Sequence, residues 1–237
     1  MHGTETIPAT PARNSALDLL KWLALVCMVL DHLRYVGPNL DVLYVPGRLA
    51  FPWFCLAIAA NVHRASGGRR YLVWLLAFSA LSEVPYRLFI GDADTLNVLP
   101  TLALGMLVAR GWRSKATVDR RLALFALVVA VLCAPHLMFG FFGVLLPLAM
   151  LWALHRPWYF SLLPGVVCLA ANQWQILLHD GSAIALAGLA MCLVAPLGGL
   201  LVLRQADHAS APPMRRWAYA LYPGHFLLLL ALRQILV

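Results

Sequence analysis

Apolar residues in this chain come in long runs broken by short polar loops, and the runs have the length a bilayer demands. A helix crosses the hydrocarbon core with about 20 mostly apolar residues, within a range of roughly 17–25. Reading for such runs predicts nine spanning helices, at residues 16–36, 46–62, 71–90, 96–112, 122–136, 139–155, 158–178, 182–203 and 217–237. The fifth run is short and passes almost directly into the sixth through Ala134, Pro135 and His136. No internal repeat stands out. The expected architecture is all-α: a short segment, residues 1–15, then one polytopic transmembrane helical bundle, residues 16–237, with no soluble domain.

Composition agrees. The 237 residues are 62% hydrophobic and 12% charged, and the mean hydropathy is +0.79. A soluble domain carries roughly 25% charged residues, so lipid must solvate the outer face. The net charge of +8 would suggest nucleic acid in a soluble protein. Here the aromatics lie inside apolar runs, and the basic residues are better explained as the topogenic charges of one membrane face. Cys27, Cys55, Cys133, Cys168 and Cys192 each sit alone in an apolar run, without metal-ligand spacing. They read as packing residues, and no metal is expected. The first fifteen residues lack an apolar stretch leading to a cleavage site, so no cleavable signal is expected.

Loop charges orient the bundle. With nine spans, one side carries Arg13, Arg64, Arg69, Arg70, Arg110, Arg113, Lys115, Arg120, Arg121, Arg156, Arg204, Arg215 and Arg216. The other carries only Arg34, Arg48, Arg87 and Arg233, with Lys21 inside the first span. The positive-inside rule places the N-terminus in the cytoplasm and the C-terminus outside.

Charges at membrane depth cost about 2.5–3.5 kcal/mol at a helix centre, so the few present are informative. The first span holds Lys21 and, eleven residues on, His32 beside Asp31. At about 100° per residue Lys21 and His32 share a face, about 16 Å apart along the axis, with His32 towards the outer end. The same outer layer receives Arg48, Glu83, Arg87 and Asn97. A bland account exists for each. Glu83 and Arg87 suit an i,i+4 ion pair, Arg48 an interfacial snorkeller, and Asp31 and His32 interhelical hydrogen bonding. Six polar side chains at one depth favour function. His225 falls mid-membrane after Pro223, as a structural or a ligand-binding histidine. Pro52, Pro85, Pro100, Pro147, Pro164 and Pro196 read as kinks, and His63, His155, His179 and His208 lie at loop edges.

Four stretches carry a resemblance. They are Leu20-Lys21-Trp22-Leu23-Ala24 through Met28-Val29-Leu30-Asp31-His32, Gly47-Arg48-Leu49-Ala50-Phe51-Pro52, Ser82-Glu83-Val84-Pro85-Tyr86 with Asn97-Val98-Leu99, and Tyr222-Pro223-Gly224-His225. In this order they resemble the TraX family, membrane proteins associated with N-acetylation of conjugative F-type pilin. The Lys…Asp-His helix followed by Gly-Arg-x-Ala-Phe-Pro is the specific part. Glu83 departs from the glutamine expected in many relatives. The resemblance implies an inner-membrane acetyltransferase using acetyl-CoA, and a place near the multi-helix acyltransferases that use a membrane-embedded histidine.

Joined to the charge pattern, the resemblance implies a division of labour. The donor's phosphates approach the basic side, where Arg69, Arg70, Arg110, Arg113 and Lys21 are candidate donor-binding residues. His32 is the candidate general base, with Asp31 orienting or charging it. Arg48, Glu83, Arg87, Asn97 and His225 are candidate substrate-binding residues, and Arg48 or Asn97 the candidate oxyanion donor. The acceptor is a pilin or another envelope molecule. An O-acetyltransferase for envelope glycans, a proton-coupled transporter and a non-catalytic pilus assembly factor are the rivals.

Overall fold

Helix α3 (Ala50–His63) is the axis around which the chain is wound. Its sequence has no polar face: Cys55, Leu56, Ile58 and Ala59 are at most 1% exposed, and it packs against helices on every side. The computed structural model describes residues 14–64, 68–206, 211–214 and 216–236. The expectations for residues 1–13, His208 and Arg215 lie outside these. Around α3 stand α1 (Ser15–Leu33), α5 (Val98–Arg113), α7 (Gly140–Ala153) and α10 (Ala183–Gln205). A short helix, α2 (Tyr44–Gly47), leads into α3. Helix α4 (Gly68–Ile90) pairs with α11 (Leu221–Leu236), α6 (Thr117–Leu132) packs on α5, and α8 (Leu162–Ala171) continues into α9 (Trp174–Asp180). No strand occurs among the described residues.

The flanks of the bundle expose large apolar side chains. Val73, Leu76, Val84 and Leu88 on α4 and Leu124, Phe125, Val131 and Leu132 on α6 are all more than half exposed. The buried side of α6 is Ala123, Ala126 and Ala130. Small residues inside and large aliphatics outside are what helix association in lipid requires, because close backbone approach, not hydrophobic exclusion, holds such helices together. At Gly105 an added Cβ would meet the Val144 carbonyl oxygen at 2.8 Å, so α5 and α7 touch backbone to backbone there.

Helix occupies each predicted run, but its lengths are uneven. Among the described residues four stretches are long and apolar enough to cross a membrane: Asp41–His63, Gly68–Ile90, Ala183–Gln205 and Trp217–Leu236. The bent pair α8 and α9 is a fifth if counted as one crossing. Nine full-length spans are therefore not reached by this measure. Helices α5, α6 and α7 have 16, 16 and 14 residues, which at 1.5 Å per residue fall short of a core about 30 Å thick. Helix α1 is continuous over 19 residues, but Asp18, Lys21 and Asp31 break its apolar run.

The expected seventh span, residues 158–178, is broken rather than straight: its two halves meet at 71°. The break falls at Asn172-Gln173. The Cys168 carbonyl accepts both the Asn172 backbone N–H, at 3.1 Å, and its side-chain amide, at 2.8 Å, which closes the last turn of α8, and Gln173 turns to φ 51°. The prolines also divide. Pro85, Pro147 and Pro196 lie inside helices. Pro52, Pro100, Pro164 and Pro223 each occupy the third position of a helix instead. There a missing N–H costs nothing, so these four start helices and do not kink them.

Contacts sort the helix ends into two levels. Trp22 meets Trp217 at one level, and His32 meets His225 at the other. Tyr219 stacks on Trp74 while Arg233 donates to the Phe89 carbonyl, so α1, α4 and α11 run parallel. Helix α3 runs against α1, bringing Arg48 to Asp31 at the histidine end and Arg64, at its C-cap, to the opposite, basic end.

Candidate functional site

His32 and His225 form the centre of the histidine end. His32 Nδ1 and His225 Nε2 are 3.1 Å apart, and His225 Nδ1 is 3.2 Å from the Leu221 carbonyl one turn earlier. A carbonyl only accepts, so His225 Nδ1 carries a hydrogen. In the neutral pair His225 Nε2 is then the acceptor and His32 Nδ1 the donor. That leaves the lone pair of His32 on Nε2, the atom a general base needs. Phe226 and Phe89 wall the His32 ring, with centroids at 4.9 and 6.3 Å.

Asp31 gives its carboxylate to two arginines rather than to a hydrogen bond with the imidazole. Its Oδ1 is 3.0 Å from Arg48 Nη2 and 3.6 Å from Arg34 Nε. Arg48 donates its other terminal nitrogen to Asn172 Oδ1 at 2.7 Å and stacks on Tyr44, 4.1 Å from the ring centroid. Gly47 makes the pair possible, because a Cβ there would collide with the Asp31 side chain. This network ties α1, the turn between α2 and α3, and the end of α8 together. Arg48 Nε is buried with no hydrogen-bond partner among the described residues.

Glu83, Arg87 and Asn97 form a separate clip. Glu83 accepts from Arg87 Nε at 2.7 Å and, through its other oxygen, from the Asn97 amide at 2.7 Å and the Asn97 backbone N–H at 3.1 Å. Asn97 also donates to the Ser79 carbonyl and caps α5 by accepting from Leu99 N–H. Both amide hydrogens of this fully buried side chain are committed, so Asn97 has none to offer an oxyanion. The clip joins α4 to the start of α5.

A cavity of about 740 Å³ runs between α1, α3, α4, α5 and α11, walled mostly by apolar side chains. Lys21, Leu25 and Met28 line it from α1, and Tyr222 from α11. These follow helical spacing, and the next residues on the two stripes are His32 and His225, one turn beyond Met28 and Tyr222. The passage thus points from the basic end to the histidine pair. Asn61 and Tyr71 also line a second cavity of about 340 Å³, together with Arg69, Arg110 and Arg113. Arg110 is paired with Asp119 at 3.0 Å. Three of the four arginines expected to meet a donor therefore share one vestibule. The fourth, Arg70, is exposed and lines neither cavity. Lys21 sits in the passage, 3.9 Å from Asp18.

The sequence profile described as TraX protein matches residues 16–233, nearly the whole chain. The chain belongs to the TraX family. It is also 28% identical over 101 residues to "Uncharacterized protein RP591" of Rickettsia prowazekii (strain Madrid E). That stretch covers 42% of this chain and 39% of the relative. No solved structure matches.

In this TraX-family protein three participants escaped the reading of the sequence alone. Asn172 lies beside Gln173 in a largely apolar run, and that pair is the signal of a break. Tyr222 stood in a quoted motif without a role, yet its hydroxyl accepts from Val98 N–H at 3.3 Å and its ring lines the passage. Tyr71 gave no signal at all, because its place between the two cavities depends on the packing of α3, α4 and α5.

Proposed function

We propose that this multi-pass membrane protein is an acetyltransferase of the inner membrane. It moves an acetyl group from acetyl-CoA to an acceptor amine, which the family resemblance suggests is the N-terminus of a pilin or another envelope molecule. The observation that supports the reading is the continuous order of basic vestibule, apolar passage and histidine pair. Arg69 and Arg113, with Arg110 held by Asp119, suit the donor's phosphates. The passage suits the long arm that carries the thioester.

The chemistry follows from the tautomer. The acceptor nitrogen attacks the thioester carbonyl carbon while its proton passes to His32 Nε2. The C–S bond then breaks, and His32 returns the proton to the departing thiolate. His225 holds the His32 ring in the tautomer that leaves Nε2 free. Tyr222, accepting the Val98 N–H, keeps its own hydroxyl hydrogen for the oxyanion. It takes the role that Asn97 is too committed to fill.

The test is transfer of label from acetyl-CoA by the purified chain in lipid vesicles, offered a peptide with a free N-terminal amine. Label should appear on the peptide amine, and Tyr222→Phe should slow it roughly 10²–10³-fold. Label on a sugar hydroxyl instead would make the protein a glycan O-acetyltransferase. Proton flux without any label transfer would overturn the enzymatic reading.

A further inference from the structure

A third cavity, of about 640 Å³, opens at the basic end on the opposite side of α3 from the vestibule. His63, Arg64, His155, Arg156 and Arg204 line it, with Leu17, Leu154 and Leu203 supplying an apolar floor. No carboxylate is among its described lining residues. The basic groups are held in place. Arg204 donates to the Arg156 carbonyl at 2.5 Å, and the His63 and His155 rings are 4.1 Å apart. Arg156 lies over Trp152 and Phe160, at 4.4 and 4.8 Å from the ring centroids. This stacking occupies the guanidinium face and leaves its N–H edge for a ligand.

The surroundings say which ligand. Trp152, Trp158 and Tyr159 are exposed beside the cavity, as aromatic side chains are at the level of lipid headgroups. The cavity therefore faces the membrane surface at the end of the bundle that carries the basic loops, where the leaflet is anionic. A cluster of cations with an apolar floor, at headgroup depth, fits a phosphate whose other substituent is lipid. We propose that this cavity is a phosphate-recognition site that takes the headgroup of an anionic phospholipid, with Arg156 and Arg204 as its principal donors. The inference stands apart from the proposed transferase reaction and uses none of its residues.

The experiment is thermal unfolding of the full chain in neutral detergent, titrated with short-chain phosphatidylglycerol, phosphatidylcholine or inorganic phosphate. Phosphatidylglycerol should raise the midpoint saturably, and phosphatidylcholine should not. Arg156→Gln with Arg204→Gln should weaken the phosphatidylglycerol effect about tenfold or more. Arg120→Gln with Arg121→Gln removes the same charge from exposed positions outside the cavity and should change it little. Inorganic phosphate should compete only weakly. Equal stabilisation by both lipids would show a general lipid effect, and equal loss in the two double variants a general charge effect; either would overturn the site. Saturation by phosphate alone, with no further gain from phosphatidylglycerol, would assign the cavity to a soluble phosphate and overturn the lipid. Should the cavity variant fold poorly, retention of phosphatidylglycerol by the wild-type chain through purification in neutral detergent, read by native mass spectrometry, decides the question.

Discussion

His225 Nε2 stands 3.1 Å from His32 Nδ1 although 193 positions separate them in the chain. The Leu221 carbonyl fixes the direction of that hydrogen bond, and with it the ring nitrogen of His32 that is free to take a proton. His32→Ala should therefore lower turnover roughly 10²–10⁴-fold while donor binding persists. His225→Ala should cost less, about 10-fold, because water can stand in for the lost acceptor. Nitrogen NMR of histidine-labelled protein should show His32 as the Nδ1–H tautomer, and that preference should weaken in His225→Ala. Normal turnover of His32→Ala, normalised to folded protein, would remove the pair from the mechanism.

The vestibule makes a distinction among neighbouring arginines. Arg69→Glu and Arg113→Glu should each weaken acetyl-CoA binding and flatten its dependence on salt. Arg70→Glu, one residue along but outside both cavities, should leave affinity within about twofold. An equal effect at all three positions, measured by calorimetry at two ionic strengths, would mean that only overall charge matters.

Asp31 should act on stability more than on chemistry. Its carboxylate pairs with Arg48 where the two side chains are 17% and 12% exposed, so Asp31→Asn leaves a largely buried cation short of its partner. The expected loss is about 1–3 kcal/mol, less than for a fully buried pair, and shows as a lower unfolding midpoint in detergent. Turnover per folded molecule should fall only a few-fold. A large loss of normalised turnover at unchanged stability would return Asp31 to the catalytic role expected from its place beside His32.

Topology tests the sidedness on which the donor route depends. A reporter fused after Lys115, between α5 and α6, should behave as cytoplasmic. One fused after Asp94, between α4 and α5, should behave as exported. The same result at both positions would place the vestibule and the histidine pair on the same side of the membrane.

The order of apolar runs, their helical character and the crowding of arginines into alternate loops are properties of the chain itself. They follow from local hydropathy and charge, so Lys21, His32 and the basic residues of the vestibule were recognisable before any packing was known. The pairing within the outer layer was not. Asp31 adjoins His32 in the chain, yet helical geometry points adjacent side chains in different directions, and Asp31 reaches Arg48 at the turn between α2 and α3. The partner of His32 comes from the last helix, and the only trace of it in the sequence was one histidine after a proline. Glu83, Arg87 and Asn97 shared a depth with His32 but closed on each other. The break at Asn172 and the junction at Tyr71 depend on which helices touch. Depth in a membrane can be read from sequence, because each residue advances a helix by a set rise. Which residues meet at that depth is decided by the rotation and neighbours of every helix, and only the folded bundle holds that information.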